Sequence, residues 1–238
     1  MTPLVIAHRT CPKDGSENSL EGITRARELG ADVVEIDVRR TRDGVPVLLH
    51  DKWLLRTTWW PVRLSWVGSA WVARRSLRGG GTIPTLSQAL SAAGSELGLA
   101  IDVKDRGAGP AVLDVIDRSD AGTTVLFWSQ HDEAIETAVD LAPDLEISLL
   151  RDTRTPKDLD RFILDARSLG VDGISAHWSQ VSPHLAEVCL ASGLRLYAWC
   201  KSAKIDPRKA RLLDGLVTDW PQEGRAAITP PSERPGPF

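Results

Sequence analysis

The residues in this sequence that are best suited to chemistry lie within or just after short apolar runs. Five such runs carry titratable or charged side chains near their carboxyl ends: His8 and Arg9, Glu35 and Asp37, His50 and Asp51, Asp102 and Lys104, and Asp219. Continuous apolar runs of this length are typical of strands that are buried on both faces. Because the carboxyl ends of parallel strands meet on one side of a barrel, the pattern predicts a single site.

Three carboxylates in this set predict a metal site. Glu35 and Asp37 are two residues apart on a predicted strand, so their side chains point to the same face. Two buried carboxylates repel each other, and a divalent cation relieves that repulsion. Asp102 adds a third oxygen donor from the next strand. Hard oxygen ligands of this kind favour Mg²⁺ or Ca²⁺ over Zn²⁺.

Two cations and two imidazoles complete the predicted chemistry. Arg9 and Lys104 place positive charge beside the expected metal, which favours a phosphate ester as substrate because negative charge develops on its oxygens. Imidazoles titrate near neutral pH, so His8 and His50 are suited to general acid and base catalysis.

Strand-like and helix-like segments alternate along the chain and must position these groups. The predicted strands span residues 4–7, 32–38, 97–103, 123–127, 145–149, 171–174, 194–198 and 215–218, with a further extended piece at 45–49. The first predicted helix spans 19–29, with Ser16 or Asn18 as its N-cap and Gly30 at its end. Eight such units in roughly 250 residues match a closed (β/α)8 barrel. An open doubly wound sheet is the alternative, although no Gly-x-Gly-x-x-Gly follows the first strand.

Residues 51–81 interrupt this alternation. They hold five of the nine tryptophans and end in three consecutive glycines. We predict an irregular Trp-rich insertion after strand 2, within a single α/β barrel domain that covers residues 1–224. The rings either pack the insertion onto the barrel or form a lid that receives an acyl chain or lies on a membrane surface. Residues 225–238 contain four prolines and are predicted to be a flexible C-terminal tail.

Composition narrows the class of protein. The chain has 238 residues, a formal charge of −3 and 42% hydrophobic residues, which is typical of a globular domain and disfavours nucleic-acid binding. No apolar run approaches the roughly 20 residues of a membrane span, and the N-terminus does not resemble a signal peptide. Three cysteines without metal-type spacing favour a reducing cytoplasm. The expected partner is a small-molecule substrate, and the oligomeric state stays open.

The order and spacing of these residues resemble the glycerophosphodiester phosphodiesterase family. The densest match runs over about fifty residues: HR at 8–9, ENS at 17–19, GADVVEIDV at 30–38, TRDGVPV at 41–47 and HD at 50–51. Weaker matches follow in the same order: IPTL at 83–86, IDVK at 101–104, Trp199, and LVTDWP at 216–221. The resemblance covers nearly the whole chain except the insertion and the tail.

The resemblance implies a TIM-type barrel that hydrolyses a glycerophosphodiester to glycerol 3-phosphate and an alcohol, with a lysolipid as the alternative small-molecule substrate. It implies that Glu35, Asp37 and Asp102 bind the metal and that His8 and His50 are the acid–base pair. Further residues are implied to bind the phosphate, contact the substrate or brace the site: Arg9, Lys104, Glu17, Asn18 and Trp199. Asp51 is expected to orient His50, whereas Asp219 is interpreted as a strand-end ion pair.

Three positions depart from the family pattern. Thr10 replaces the usual glycine, and because a β-branched residue disfavours positive φ, we expect a different first loop. Asp102 replaces a glutamate and is one methylene shorter, so the metal is expected to shift or gain a water. WCKS at 199–202 replaces W-T-V-N and alters the expected substrate contacts there.

Two alternative functions remain at this stage. A lipid-directed relative, of the lysophospholipase D or sphingomyelinase D kind, would use a similar site. A catalytically silent barrel that binds a phosphorylated ligand is the alternative from a different class. Both alternatives keep the predicted fold. The first would hydrolyse a lipid phosphodiester, whereas the second would bind a phosphorylated ligand without hydrolysing it.

Overall fold

The computed structural model describes residues 2–11, 13, 15–153 and 155–230. The strands within them are β1 Leu4–Ala7, β2 Val33–Arg40, β3 Pro46–Leu48, β4 Gly98–Val103, β5 Val125–Ser129, β6 Glu146–Leu150, β7 Gly173–His177, β8 Arg195–Cys200 and β9 Gly215–Thr218. The α-helices within them are α1 Leu20–Glu28, α2 Ser69–Val72, α3 Leu86–Ala93, α4 Gly109–Asp117, α5 Asp132–Leu141, α6 Pro156–Leu169, α7 Pro183–Ala191, α8 Pro207–Ala210 and α9 Pro221–Ile228.

Eight of these strands close into a parallel barrel with helices between them. β1 pairs in parallel with both β2 and β9, and the other parallel neighbours follow chain order. The predicted single-domain (β/α)8 fold is therefore confirmed. β3 lies outside the ring because it pairs antiparallel with the far end of β2, where Val38 is opposite Leu48.

Alternation along the strands separates an inner from an outer apolar layer. The inner cluster contains one or two side chains from most strands: Ile6, Val33, Ala100, Leu126, Trp128, Tyr197 and Val217. Glu35 and Asp37 share the face of Val33, and Asp102 shares the face of Ala100, so all three carboxylates turn inward. A larger outer cluster packs the strands against the helices.

The loop between β1 and α1 has a left-handed backbone. Arg9, Thr10 and Cys11 have φ values of 45°, 59° and 59°, and Asn18 has φ 55°. The expectation that Thr10 would avoid positive φ is therefore wrong. Hydrogen bonds hold the conformation: Arg9 N–H donates to Glu35 Oε2 (2.8 Å), and Ser19 N–H donates to Thr10 Oγ1 (3.0 Å).

The N-cap of α1 is Ser19, whose hydroxyl accepts a hydrogen bond from Gly22 N–H at 3.0 Å. The predicted cap at Ser16 or Asn18 is wrong. The amide of Asn18 is instead used by Asp37, so it cannot also cap the helix.

The barrel extends beyond its predicted boundary at residue 224. α9 continues to Ile228, and Ala227 and Ile228 are buried. Arg225 fixes this helix to the start of β2 through an ion pair with Asp32 of 2.6 Å. The predicted tail is thus wrong for residues 225–228, where a helix packs on the barrel, and residues 231–238 lie outside the described part of the chain.

Residues 51–81 contain little regular structure but have an apolar core of their own. Apart from α2 they form a single 3-10 turn, Leu64–Trp66, and the isolated bridges Trp53–Arg63 and Ser76–Thr82. Four buried side chains of the insertion form this core: Leu54, Leu64, Val72 and Leu77. They pack with Val47 of β3, with Leu49 just after it and with Ile83 before α3. Trp71 packs against this cluster, whereas Trp53, Trp59, Trp60 and Trp66 are exposed.

The close packing of α1 on the strained loop leads to a stability prediction. A Cβ atom at Gly22 would lie 2.2 Å from the Thr10 carbonyl oxygen and 2.3 Å from Thr10 Oγ1. We expect Gly22→Ala to lower the free energy of unfolding by about 1–3 kcal/mol, since the loop must move to admit the methyl group. Thermal unfolding followed by circular dichroism measures this. Gly15→Ala, where a Cβ meets nothing within 4 Å, is the control, and equal melting temperatures of both variants would contradict the prediction.

Candidate active site

Three buried carboxylates meet at the carboxyl end of β2 and β4. Asp37 and Asp102 are register partners on these adjacent strands. One oxygen from each of Glu35, Asp37 and Asp102 lies within 4.8 Å of the others, and all three side chains are buried. The structure thus brings together the three residues that the sequence predicts as metal ligands.

The electrostatics of this cluster indicate a shortage of positive charge. Burial, followed by repulsion from Asp37, raises the pKa of Glu35 to about 7. Burial likewise raises the pKa of Asp102. Burial acts in the same direction on Asp37, but Lys104 and Arg9 outweigh it and hold the pKa of Asp37 below its usual range. Two cations, Lys104 and Arg9, therefore compensate the charge of three acidic groups.

The donor set fits a divalent metal ion. Asp102 Oδ1 is buried and has no hydrogen-bond partner among the described residues. An orphaned carboxylate oxygen inside a cluster of hard oxygen donors can be satisfied by a cation of the Mg²⁺ or Ca²⁺ type. Lys104 supplies one positive charge here, with Nζ 2.9 Å from Asp37 Oδ1 and in contact with Asp102 Oδ2. Arg9 Nε lies 3.2 Å from Asp37 Oδ2.

Each of the two predicted catalytic histidines is hydrogen-bonded to a carboxylate. His8 Nδ1 lies 2.6 Å from Asp219 Oδ1, and His50 Nδ1 lies 2.6 Å from Asp51 Oδ1. A carboxylate on Nδ1 fixes a tautomer in which Nδ1 carries the proton, and Nε2 is then available for chemistry. Burial lowers the pKa of His50. Although burial opposes it, the hydrogen bond from His8 lowers the pKa of Asp219.

Glu17 and Asn18 brace the site from behind. Asn18 Nδ2 donates to Asp37 Oδ2 (2.8 Å), and its Oδ1 accepts from Asp37 N–H (2.9 Å). Glu17 accepts two hydrogen bonds from Arg56, of 2.6 and 2.8 Å, and lies 3.6 Å from Arg9. Neither residue lines the cavity that holds the other site residues. Their positions support bracing rather than substrate contact.

A cavity of about 220 Å³ unites the remaining predicted residues. Its lining combines the acidic cluster, both histidines, cations and apolar groups: His8, Arg9, Glu35, Asp37, His50, Asp102, Lys104, Trp128, Gln130, Leu150, Arg151, Asp152, Ser175, Trp199, Lys201 and Val217. The ring of Trp199 meets that of His177 edge-on, with centroids 4.4 Å apart. The cavity is smaller than the roughly 300–1,000 Å³ of sites for drug-sized ligands, so a small headgroup suits it.

Two cavity residues, Arg151 and Lys201, were not predicted from the sequence, whereas Asp219 was predicted as a strand-end ion pair. Asp219 contacts His8, and its place in the motif LVTDWP was the available signal. Arg151 and Lys201 add positive charge to the lining. Neither the periodicity nor the spacing of the sequence distinguishes these two residues from other Lys and Arg residues, which are mostly exposed in proteins.

Comparison with known families identifies the family of this chain. A model of the Glycerophosphoryl diester phosphodiesterase family matches residues 8–223. The chain belongs to this family. As a family member it is a phosphoric diester hydrolase, which agrees with a site built from carboxylates, histidines and phosphate-seeking cations.

Individual relatives agree with the family assignment. The chain is 28% identical over 247 residues to a glycerophosphodiester phosphodiesterase of Caldanaerobacter subterraneus, covering 93% of this chain and 96% of the relative. An Oleispira antarctica phosphodiesterase, solved with sn-glycerol-3-phosphate, has a TM-score of 0.82 at 25% identity and covers 95% and 97% of the two chains. A Parabacteroides distasonis glycerophosphodiester phosphodiesterase has a TM-score of 0.80 at 23% identity, covers 95% and 97%, and supports the fold.

Two further features of this phosphodiesterase are its helix lengths and its cysteines. Among the described residues, no helix combines the length and apolar character needed to cross a bilayer. The three cysteine side chains, Cys11, Cys189 and Cys200, are buried.

The acidic cluster leads to a metal-binding prediction that does not depend on activity. A cation that binds only the folded state stabilises it, by about 2.7 kcal/mol at a concentration of 100 times Kd. We expect Mg²⁺ or Ca²⁺ to raise the melting temperature of the wild type and to have little effect on Glu35→Gln, which keeps an oxygen for Arg9 N–H. Asp114→Asn, on the exposed face of α4, is the control and should respond like the wild type. An undiminished shift in Glu35→Gln would contradict the ligand assignment.

Proposed function

We propose that this enzyme hydrolyses glycerophosphodiesters to glycerol 3-phosphate and an alcohol, using a divalent metal and histidine acid–base catalysis. The observation that carries the proposal is the pairing of each cavity-lining histidine with its own carboxylate, beside three buried carboxylates. His8 and His50 line the same cavity as Glu35, Asp37 and Asp102, so both imidazoles lie close to the acidic cluster. The product bound to the Oleispira antarctica relative supports the same reaction here.

Glu35, Asp37 and Asp102 would hold the metal ion, either Mg²⁺ or Ca²⁺. When bound, the cation supplies Lewis-acid polarisation of the phosphoryl oxygens. The remaining positive charge comes from the chain itself. Arg9 and Lys104 are held in place by Asp37 and Asp102, and both line the cavity. Both cations stabilise the negative charge that develops on the phosphoryl group during the reaction.

We assign His50 as the general base and His8 as the general acid. Burial lowers the pKa of His50, which favours the neutral imidazole, whose Nε2 can accept a proton from the nucleophile. The nucleophile is either water or the glycerol hydroxyl of the substrate; in the second case a cyclic phosphodiester forms first, and water then opens it to glycerol 3-phosphate. Asp219 is held ionised beside His8 and stabilises its imidazolium, which donates a proton to the leaving alcohol oxygen as the P–O bond breaks.

Trp199 would pack against the glycerol headgroup. The cavity has room for a glycerophosphoryl group, and apolar side chains such as Leu150 and Val217 form part of its wall. An acyl chain or a bulky alcohol would extend out of the cavity mouth. Glycerophosphodiesters with small alcohols are therefore the favoured substrates.

The two histidines give the most direct test of the mechanism. General acid–base groups contribute about 10²–10⁴-fold each, so His8→Ala and His50→Ala should each lower kcat by that factor without unfolding the barrel. Release of glycerol 3-phosphate from glycerophosphocholine with added metal measures this. His184→Ala, exposed on α7, is the control. Full turnover by either site variant would overturn the assignment, and no turnover by the wild type would favour a silent binding barrel.

The lysolipid alternative is decided by the same assay with a second substrate. Lysophosphatidylcholine replaces glycerophosphocholine, and the two kcat/KM values are compared. We expect the soluble diester to be preferred because the cavity is only about 220 Å³. A preference for the lysolipid would instead support a lysophospholipase D.

The role of Asp51 predicts a change in pH dependence. Its hydrogen bond favours the protonated form of His50 and so opposes the effect of burial. In Asp51→Asn we expect the pKa of His50 to fall further, and the acid limb of kcat/KM to move to lower pH. Because the tautomer is also less well fixed, kcat should fall about tenfold or more. An acid limb that stays in place or moves to higher pH would contradict the positioning role.

A further inference from the structure

Large exposed apolar side chains are concentrated in one part of this protein. Eight of them occur in the described part of the chain, and five lie within residues 53–66. These five, which we call the tryptophan surface, are Trp53, Leu55, Trp59, Trp60 and Trp66. Trp59 is 70% exposed and Trp66 is 57% exposed. A concentration of exposed apolar side chains in one short segment is typical of a binding surface.

The tryptophan surface rests on an ordered support. Trp53 and Trp66 pack edge-on with centroids 5.3 Å apart, and Trp53 bridges to Arg63 through the backbone. Leu54 N–H donates to the Val62 carbonyl oxygen (2.9 Å), and the side chain of Leu54 is fully buried below. The exposed rings therefore cannot turn inward without breaking the core of the insertion.

The insertion has the opposite charge to the chain as a whole. Residues 51–81 contain six basic residues and one acidic residue, a formal charge of +5, whereas the entire chain has a charge of −3. The single acid, Asp51, is already engaged by His50 and Arg56. The tryptophan surface thus lies in a strongly cationic segment of a chain that is anionic elsewhere.

A basic cavity of about 670 Å³ adjoins this surface, next to the Trp53–Arg63 bridge. Seven charged side chains are among its lining residues: Arg39, Arg40, Arg42, Lys52, Arg63, Asp43 and Asp105. Asp105 pairs with Arg39, and Asp43 accepts hydrogen bonds from Ser69. The other four cations, Arg40, Arg42, Lys52 and Arg63, form no ion pair with any carboxylate in the described ranges. Their charge is available to external anions.

We propose that the tryptophan surface docks the protein on a membrane that contains anionic lipids, whose headgroups face the basic side chains of the insertion and the cavity. Tryptophan rings prefer the interface between hydrocarbon and water, and basic residues bind anionic headgroups. The combination is that of a peripheral interfacial anchor. A second copy of the chain fits less well, since a symmetric dimer through this face would bring two +5 segments together.

Docking would hold the active site close to the lipid surface. Arg56 links the insertion to Asp51, the partner of His50, and to Glu17 beside Arg9. Ion pairs of Arg56 therefore join the insertion to the loops that carry His50 and Arg9. Binding to the membrane does not require the proposed hydrolysis.

Vesicle co-sedimentation tests the proposal. The full chain is mixed with phosphatidylcholine vesicles, or with vesicles of about 70% phosphatidylcholine and about 30% phosphatidylglycerol. We expect at least tenfold stronger partitioning to the anionic vesicles, and a loss of tenfold or more in the double variant Trp59→Ser/Trp66→Ser. The matched control is Leu141→Ser/Leu190→Ser, which removes equally exposed apolar side chains from α5 and α7 and should bind like the wild type.

Charge variants test whether the basic side chains bind the anionic headgroups. Lys52→Gln and Arg63→Gln should each weaken partitioning about fivefold, and about 0.5 M salt should weaken it in the wild type. Thermal unfolding verifies that every variant is folded. Absence of wild-type binding to anionic vesicles, or undiminished binding by the tryptophan double variant, overturns the proposal. A dimer in gel filtration that this variant abolishes, with no vesicle binding, would assign the surface to a second copy.

Discussion

Burial of three carboxylates within 4.8 Å of one another is the constraint on which the rest of this structure depends. Ionised groups in so small a space repel strongly in a medium of low dielectric constant. The barrel compensates with Lys104 and Arg9, and with the amide of Asn18. The compensation is incomplete, as the raised pKa of Glu35 indicates. The arrangement is therefore predisposed to take up a cation.

The strained loop after β1 follows from the same constraint. Three consecutive residues with positive φ are unfavourable, at about 1–3 kcal/mol each, and persist only when their surroundings hold them. Glu35 holds the backbone of Arg9, and Thr10 bonds to the start of α1. This geometry brings the His8 ring and the Arg9 guanidinium to the cavity. Strain and charge compensation are thus properties of one connected network.

Periodicity in the sequence was enough to predict the barrel, because fully buried parallel strands leave continuous apolar runs that helices must separate. The inward orientation of Glu35 and Asp37 followed from their spacing alone. The partnership of His8 with Asp219 could not follow in this way, since it joins residues 211 positions apart through barrel closure. The conformation of Thr10 was mispredicted because tertiary hydrogen bonds override the preference of a β-branched residue. The helix over 221–228 was missed because the prolines around it resembled those of a tail.

Closure of the barrel by its first and last strands has a consequence for synthesis. His8 is synthesised 211 residues before Asp219, and only the pairing of β1 with β9 brings their side chains together. A nascent chain can fold its early βα units, but it lacks the His8–Asp219 pair until β9 has been synthesised. Premature termination before residue 219 therefore yields a polypeptide in which the ring is open and this pair is never assembled.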